Sequence, residues 1–392
     1  MATPSILPTP EQIQQAQQAI SAYVQEIDAN PERRDGAYPY ALFHEAGQPI
    51  FGTVLMFHGF SAKPHQMWRL ADYLFQNGFN VYQVTLAGHA SINPGKNWPQ
   101  VDLRPEIADP LKQKIQADPV LQNYLNNQMA NPQSGQNPSY MQRIALMHRL
   151  LKIEPRLLDI KQAIEKSDDP DFDRYFISSH MNYLIEARRC LEQLASIPGP
   201  VYTVGLSVGG ATALGLAADQ PDRIQRTVAY APLLKVYGEE NRQYVNLAGP
   251  LDIKEVGWDP NLQFPLGAFT AADRFGSAFV LKWDNVEILS RIPTFLVLTE
   301  NEDAADIETN KQFFKSIGGD SKGHRHYLYP TSDLVPHPMV DPTEVSQNMS
   351  NRFWQSLYQE TYRFLTTGDI DPANLGNVEQ NPELPIVPSV TP

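Results

Sequence analysis

The chain has 392 residues, 42% of them apolar, and its acidic residues outnumber the basic ones by 44 to 31, which gives a net charge of −13 at pH 7. This charge argues against nucleic acid and anionic lipid as partners, because both require a surface rich in lysine and arginine. The length suits one buried core enlarged by insertions. The single cysteine, Cys190, allows no internal disulfide, and we expect it to be a buried thiol.

Targeting signals and metal motifs are not evident. Residues 1–8 carry neither a basic stretch nor a long apolar run, so we expect no signal peptide. The sequence has no run of about 18 apolar residues, so we also expect no stable membrane anchor and a cytoplasmic location. Histidines and the cysteine do not cluster with zinc-ligand spacing. The acidic run at Asp169, Asp171 and Asp173 has Arg174 and His180 where a calcium loop requires glycine and glutamate. We therefore predict no metal and no cofactor.

The first predicted element is a helix that begins at Thr9-Pro10, with a capping threonine and a glutamine three residues later. Core strands are predicted at 40–45, 50–57, 80–85, 201–206, 226–231, 293–299 and 324–329, and helices at 66–77, 178–197, 208–219, 306–317 and 345–366. Because strands alternate with helices, we predict an α/β fold with a mostly parallel sheet covered on both faces. Ligands bind at the carboxyl ends of such strands.

Two insertions interrupt this alternation. The first, residues 91–175, is rich in proline, glutamine and asparagine, with a helical pattern around 140–151; the second, residues 235–285, is rich in phenylalanine. Both leave the carboxyl end of the sheet, so we predict an inserted cap; the alternative is that they only pack beside the core. The predicted divisions are a first core part (1–90), the cap region (91–175), a second core part (176–367) and a disordered proline-rich tail (368–392).

A candidate nucleophile lies in Gly205-Leu206-Ser207-Val208-Gly209, between a β-branched run and a run of small helix-forming residues. A strand, a sharp turn and a helix in this order present the hydroxyl of the central serine at the end of a sheet. The flanking positions are small because larger side chains would strike the neighbouring strand and helix. The pattern predicts that Ser207 is a nucleophile.

Such a serine needs a histidine to accept its proton and a carboxylate to orient that histidine. Downstream histidines are His324 and His326, in a predicted strand, and His337, in a proline-rich loop beyond it; we choose His337. Candidate acids after strand 293–299 are Glu300, Glu302, Asp303 and Asp306, with Glu239 and Glu240 as a remoter alternative. We choose Asp303, with Glu302 as the close alternative.

The oxyanion of an acyl-transfer intermediate requires backbone N–H donors. One is expected from Val208, the residue after the nucleophile. The other is expected from the loop after strand 50–57, which reads His58-Gly59-Phe60-Ser61, and we choose Phe60.

Together these blocks resemble the α/β-hydrolase superfamily, and within it the carboxylesterases and monoacylglycerol-lipase-like enzymes. The likeness covers residues 54–89, from the Val54-Leu-Met-Phe-His-Gly-Phe60 strand to Gly88-His89, and residues 178–337. It implies a serine hydrolase of carboxylic esters with Ser207, Asp303 and His337 as its triad. The apolar residues of the insertions favour a small-molecule ester with an apolar acyl chain as the substrate. The alternatives are acyl transfer to an alcohol at the same site, or a binding protein without activity.

Overall fold

The computed structural model describes residues 4–121, 148–149, 151–166, 168–251, 254–256 and 262–377. The helical pattern predicted around 140–151 therefore lies mostly outside the described residues. The strands are β1 (Tyr40–Leu42), β2 (Thr53–Phe57), β3 (Asn80–Val84), β4 (Val101–Leu103), β5 (Phe176–Ser178), β6 (Val201–Leu206), β7 (Ile224–Tyr230), β8 (Lys254–Val256), β9 (Gln263–Pro265), β10 (Thr294–Thr299) and β11 (Arg325–Tyr329).

Seven of these strands form one sheet in the order β1-β3-β2-β6-β7-β10-β11. All its neighbouring pairs are parallel except β1 with β3. The central strands are buried on both faces, as the continuous apolar runs predict. Two hydrophobic clusters cover the two faces, which confirms the predicted α/β class with a mostly parallel sheet.

The helices are α1 (Pro10–Asp28), α2 (Trp68–Gln76), α3 (Pro94–Asn97), α4 (Pro105–Gln116), α5 (Leu157–Glu165), α6 (Phe172–Tyr175), α7 (Asn182–Gln193), α8 (Val208–Asp219), α9 (Glu239–Ala248), α10 (Leu266–Arg274), α11 (Trp283–Leu289), α12 (Ile307–Ser316), α13 (Trp354–Thr367) and α14 (Pro372–Leu375). Thr9 caps α1 in the predicted way, with Gln12 completing the reciprocal pair. Among the described residues, we find no helix with the length and apolar character needed to cross a membrane. Cys190 is buried on α7.

Two predicted boundaries need correction. Helix α13 begins at Trp354 rather than at 345, because Gln347 and Asn348 have φ values of 50° and 62°, which a right-handed helix cannot contain. The tail does not begin at 368, since α14 packs on α13 and buries Leu375. Residues 378–392 lie outside the described residues.

The described parts of the two insertions pack on each other. Strand β4, from the first insertion, pairs with β5, and Ala271 of α10, from the second, joins their apolar cluster. A buried ion pair between Arg242 of α9 and Asp273 of α10, 3.1 Å apart, ties the second insertion together. Arg242 also donates to the carbonyl oxygen of Glu165 in α5 at 3.3 Å. The insertions thus form one connected layer.

Candidate active site

Ser207 occupies the tight turn between β6 and α8. Its φ of 58° and ψ of −119° lie in a region that costs an L-residue about 1–3 kcal/mol, so the surrounding structure must hold it there. The Ser207 N–H donates to the carbonyl oxygen of Tyr230 at 2.9 Å, and its own carbonyl accepts from the N–H groups of Leu233 (2.9 Å) and Ala211 (3.0 Å). Strand β7 and the loop after it therefore fix the strained residue.

The two flanking glycines are required by backbone contacts. A Cβ on Gly205 would lie 2.1 Å from the carbonyl oxygen of Gly209, and a Cβ on Gly209 would lie 2.1 Å from that of Phe57. Both obstacles are main-chain atoms of packed elements, so they cannot turn aside. This is the steric reason for small residues that the sequence pattern predicts.

We expect Gly209→Ala to lower the free energy of unfolding by about 3 kcal/mol, the upper part of the range for overpacked cores. The physical reason is the clash with the carbonyl groups of Phe57 and His58, 2.1 and 2.4 Å from the added carbon. Urea denaturation followed by circular dichroism measures the change. Gly95→Ala is the control, because its nearest neighbour would be 3.8 Å away. Equal stability of the two variants would contradict the clash.

His337 lies in the loop that follows β11, between two prolines, and is 7% exposed. Two contacts hold this loop to the end of β10. The Thr299 hydroxyl donates to the carbonyl oxygen of Val335 at 2.6 Å, and Asn301 forms an isolated parallel β-bridge with Pro336. The His337 carbonyl accepts from the Met339 N–H at 2.8 Å. The imidazole is thereby placed at the carboxyl end of the sheet, on the same side as Ser207.

The carboxylate that contacts His337 belongs to Glu302 and not to Asp303, the residue preferred from sequence. Oε1 of Glu302 lies 2.6 Å from Nδ1 of His337, although the ring N–H is not aligned with that oxygen. Asp303 is exposed, and its Oδ2 accepts from Nε2 of Gln347 at 2.7 Å. The expected pairing is corrected to Glu302 because the backbone turn directs residue 302 inward and residue 303 outward.

The pair is electrostatically coupled. Burial alone would raise the pKa of Glu302, but the neighbouring His337 and backbone N–H donors bring it below its usual value. Those donors are the amides of Asp303, Ala304 and Ala305, at 3.1, 2.9 and 2.9 Å from Oε1. Burial alone would lower the pKa of His337, but the charge of Glu302 and the contact with it raise the pKa above its ordinary value. A charged Glu302 thus favours the imidazolium form.

The other candidate acids and histidines have structural partners. The carboxylate of Glu300 accepts from Thr331, that of Asp306 caps α12 through the Thr309 N–H, and that of Glu239 on α9 lies near Lys235. Buried His324 accepts from the Thr294 N–H at 3.2 Å, whereas His326 is exposed and lies against Phe314. None of these contacts involves Ser207 or His337.

The loop after β2 is held by groups that sequence reasoning did not single out. Nδ1 of His58 donates to the carbonyl oxygen of Gly59 at 2.7 Å, and Nε2 accepts from the Leu86 N–H at 3.1 Å. Burial lowers the pKa of His58 to about 3, so the ring stays neutral. The Arg34 guanidinium donates to the carbonyl oxygens of Ser61 (2.8 Å) and Ala62 (3.0 Å). Arg34 and Leu86 lie 27 and 28 positions from their partners in this loop, so neither contact leaves a local signal in the sequence.

The two expected N–H donors flank this region. Val208 is the first residue of α8, so its N–H belongs to the helical turn that has no intrahelical acceptor. Phe60 follows Gly59 in the loop after β2 and lies 9% exposed at the pocket. Both positions are compatible with backbone donation towards Ser207.

Ser207 and His337 line one pocket of about 800 Å³. An aromatic cluster, which we define as Phe60, Trp98, Phe264 and Phe269, lies at this pocket, and its three phenylalanines line it. Phe60 contacts each of the other three rings edge-on, with centroids 4.9–5.2 Å apart. Phe60, Phe264 and Phe269 face the pocket, together with polar residues that include Arg34, Lys63, Gln66 and Glu344. The pocket therefore has an apolar side and a polar side.

In the described ranges, one group of three residues could supply metal ligands. A donor atom from each of Glu302, Asp303 and His337 lies within 4.8 Å of the others. However, Nδ1 of His337 already faces Glu302, and Oε1 of Glu302 accepts three backbone amides. These contacts of Glu302 are explained if its carboxylate orients the His337 ring.

The family model described as alpha/beta hydrolase fold matches residues 52–252, slightly more than half of the chain. A search of curated protein sequences finds no match. A solved structure from work on LipS and LipT, two metagenome-derived lipolytic enzymes, shares 12% identity with a TM-score of 0.50, covering 84% of this chain and 97% of that one. The monoacylglycerol lipase of Paleococcus ferrophilus shares 13% identity with a TM-score of 0.47, covering 85% and 99%. The chain belongs to the α/β-hydrolase fold family.

Proposed function

We propose that this protein is a serine hydrolase that cleaves carboxylic esters through an acyl-enzyme on Ser207. The observation that carries the proposal is the meeting of a strained Ser207 and the buried His337–Glu302 pair at one pocket. In this proposal Glu302 takes the role that the sequence assigned to Asp303. The backbone N–H groups of Val208 and Phe60 supply the oxyanion donors.

The proposed reaction begins when Nε2 of His337 accepts the proton of the Ser207 hydroxyl as its oxygen attacks the ester carbonyl carbon. The carbonyl π electrons move to oxygen, and the N–H donors stabilise the resulting oxyanion. Collapse of the intermediate breaks the bond to the alcohol oxygen, which receives the proton from His337. Water then attacks the acyl-enzyme by the same route and releases the acid. Glu302 keeps the imidazole oriented and stabilises its charged form.

The aromatic cluster favours a substrate with an apolar acyl chain, which these rings would bury. Burying apolar surface contributes about 25 cal/mol per Å², and Phe60, Phe264 and Phe269 offer that surface beside Ser207. Trp98 comes from the first insertion, and Phe264 and Phe269 from the second. We therefore infer that the insertions act as a cap that selects the acyl group.

The test is treatment of purified protein with a fluorophosphonate, followed by peptide mapping. We expect one label, on Ser207, because the reagent requires a serine activated by a neighbouring base. Ser207→Ala should remove the label and the hydrolysis of a p-nitrophenyl ester series. Ser316→Ala, at an exposed serine of α12, is the matched control. A folded protein that stays unlabelled and hydrolyses no ester would contradict the proposed function.

A further inference from the structure

The carboxyl group of Glu344 lies at the pocket without a place in the proposed reaction. Glu344 belongs to the loop after His337 and lines the same pocket. Nε2 of Gln66 donates to both of its oxygens, at 3.1 Å each. The other end of the same amide, Oε1 of Gln66, accepts the Gly59 N–H at 2.7 Å. One glutamine therefore joins the loop after β2 to the loop that carries His337, across 278 positions of sequence.

The orientation of the Gln66 amide decides what it offers to Gly59. An amide side chain presents an acceptor oxygen at one end and two N–H donors at the other. Two carboxyl oxygens of Glu344 attract the donor end, so the acceptor end must face Gly59. A reversed amide would present N–H groups to the Gly59 N–H and leave that donor unpaired, which costs about 1–3 kcal/mol for a buried group.

The surroundings of Glu344 favour its neutral form. Burial raises the pKa of Glu344 to about 8, with a contribution from the charge of Asp341, while Gln66 and His337 act in the opposite direction. The charge of Asp341 is itself faced by Arg69 of α2, with Nε 3.5 Å from Oδ1. A protonated carboxyl still accepts from Gln66 through its carbonyl oxygen, and a glutamine at this position would do the same.

We propose that Glu344 is a positioning residue that acts through Gln66 to hold the Gly59–Phe60 segment in place for the oxyanion. This inference rests on the proposed function, because the segment supplies the Phe60 N–H. Gln66 packs closely on Gly59, since a Cβ there would lie 3.2 Å from Oε1 of Gln66. Loss of the acceptor at 344 frees the amide to turn and releases the Gly59 N–H.

The experiment compares Glu344→Gln, Glu344→Leu, Gln66→Leu and the double variant E344L/Q66L on one p-nitrophenyl ester. Displacing an oxyanion donor by about an ångström costs on the order of 100-fold in rate. We expect each leucine variant to lower kcat by about 10- to 100-fold with little change in KM. Glu344→Gln should restore kcat to within about threefold of the wild type. The kcat of the double variant should be no lower than that of the less active single variant, because both substitutions break the same chain of contacts.

Hydrogen exchange gives a readout that does not require activity. The amide of Gly59, measured in the peptide 57–62, should exchange faster in both leucine variants and remain protected in Glu344→Gln. Glu360→Gln is the control for loss of a buried carboxylate, because Glu360 lies on α13 and contacts Asn374 and the N–H of Asp371. It should lower stability and leave both kcat and Gly59 exchange unchanged.

The two proposals fail in different ways. If Glu344→Leu retains wild-type kcat and wild-type exchange at Gly59, the positioning role is wrong, while labelling of Ser207 still supports the hydrolase. If the wild type neither labels nor hydrolyses esters, the proposed function is wrong. Exchange at Gly59 then decides by itself whether Glu344 holds this loop.

Discussion

Replacing His337 by alanine is expected to lower kcat for ester hydrolysis by about 10⁵- to 10⁶-fold, with residual turnover from the oxyanion donors and substrate binding alone. The loss is this large because the Ser207 hydroxyl is a poor nucleophile until a base accepts its proton. Single-turnover release of p-nitrophenol, which reports acylation directly, is the appropriate measurement. Fluorophosphonate labelling of Ser207 should fall in parallel.

His326→Ala is the matched control for this variant. His326 is an exposed histidine on β11, eleven positions before His337, and its ring contacts Phe314 rather than the pocket. We expect its kcat to stay within about twofold of the wild type, as for surface changes remote from the site. A His337→Ala protein that acylates at the wild-type rate would remove His337 from the proposed mechanism.

The second large effect is expected at the acid. Glu302→Gln should lower kcat by about 10⁴-fold, since an amide can donate towards Nδ1 and so stabilise the wrong tautomer of His337. Asp303→Asn should lower kcat by no more than about threefold, because Asp303 is exposed and bonded to Gln347. Both substitutions replace one carboxylate oxygen by NH₂, so the two variants make the same chemical change at neighbouring positions.

The pH profile adds a second measurement on the same pair. The base must be neutral to accept a proton, so kcat/KM should rise with pH as His337 loses its proton. Since the net effect of its surroundings is to raise the pKa of His337 above 6.5, the midpoint in the wild type should lie above that value. In Glu302→Gln the largest of the charges that favour the imidazolium is gone, while those of Asp303 and Glu344 remain, and the midpoint should move to lower pH. If Asp303→Asn lowered kcat more than Glu302→Gln does, Asp303 rather than Glu302 would be the acid that orients His337.

The strands and the strained turn at Ser207 are predictable because their signals are local. Apolar runs at 50–57 and 293–299 identify buried strands, and steric rules require glycine on both sides of Ser207. The choice between Glu302 and Asp303 is different, because both are adjacent acids after the same strand. It depends on which way the backbone turns after Thr299, and the three amides that converge on Glu302 are a product of that turn.

The contacts between distant segments could not be predicted from one sequence. Gln66 and Glu344 are ordinary surface residue types, and only the folded sheet brings them together. The same holds for Arg34, whose guanidinium binds carbonyl groups of the loop after β2. The early start assigned to α13 had a similar cause: residues 345–353 contain helix-compatible types, yet left-handed backbone at Gln347 and Asn348 interrupts the helix.

The origin of the aromatic cluster has a consequence for how the proposed activity could diversify. Ser207 and His337 belong to the sheet and its loops, whereas Trp98, Phe264 and Phe269 belong to insertions that pack on each other. Exchanges of ring size at those three positions would reshape the pocket and leave the strained turn at Ser207 untouched. In the proposed mechanism, substrate range and chemical step are therefore carried by separate parts of the chain, and laboratory evolution directed at the insertions should alter the first without loss of the second.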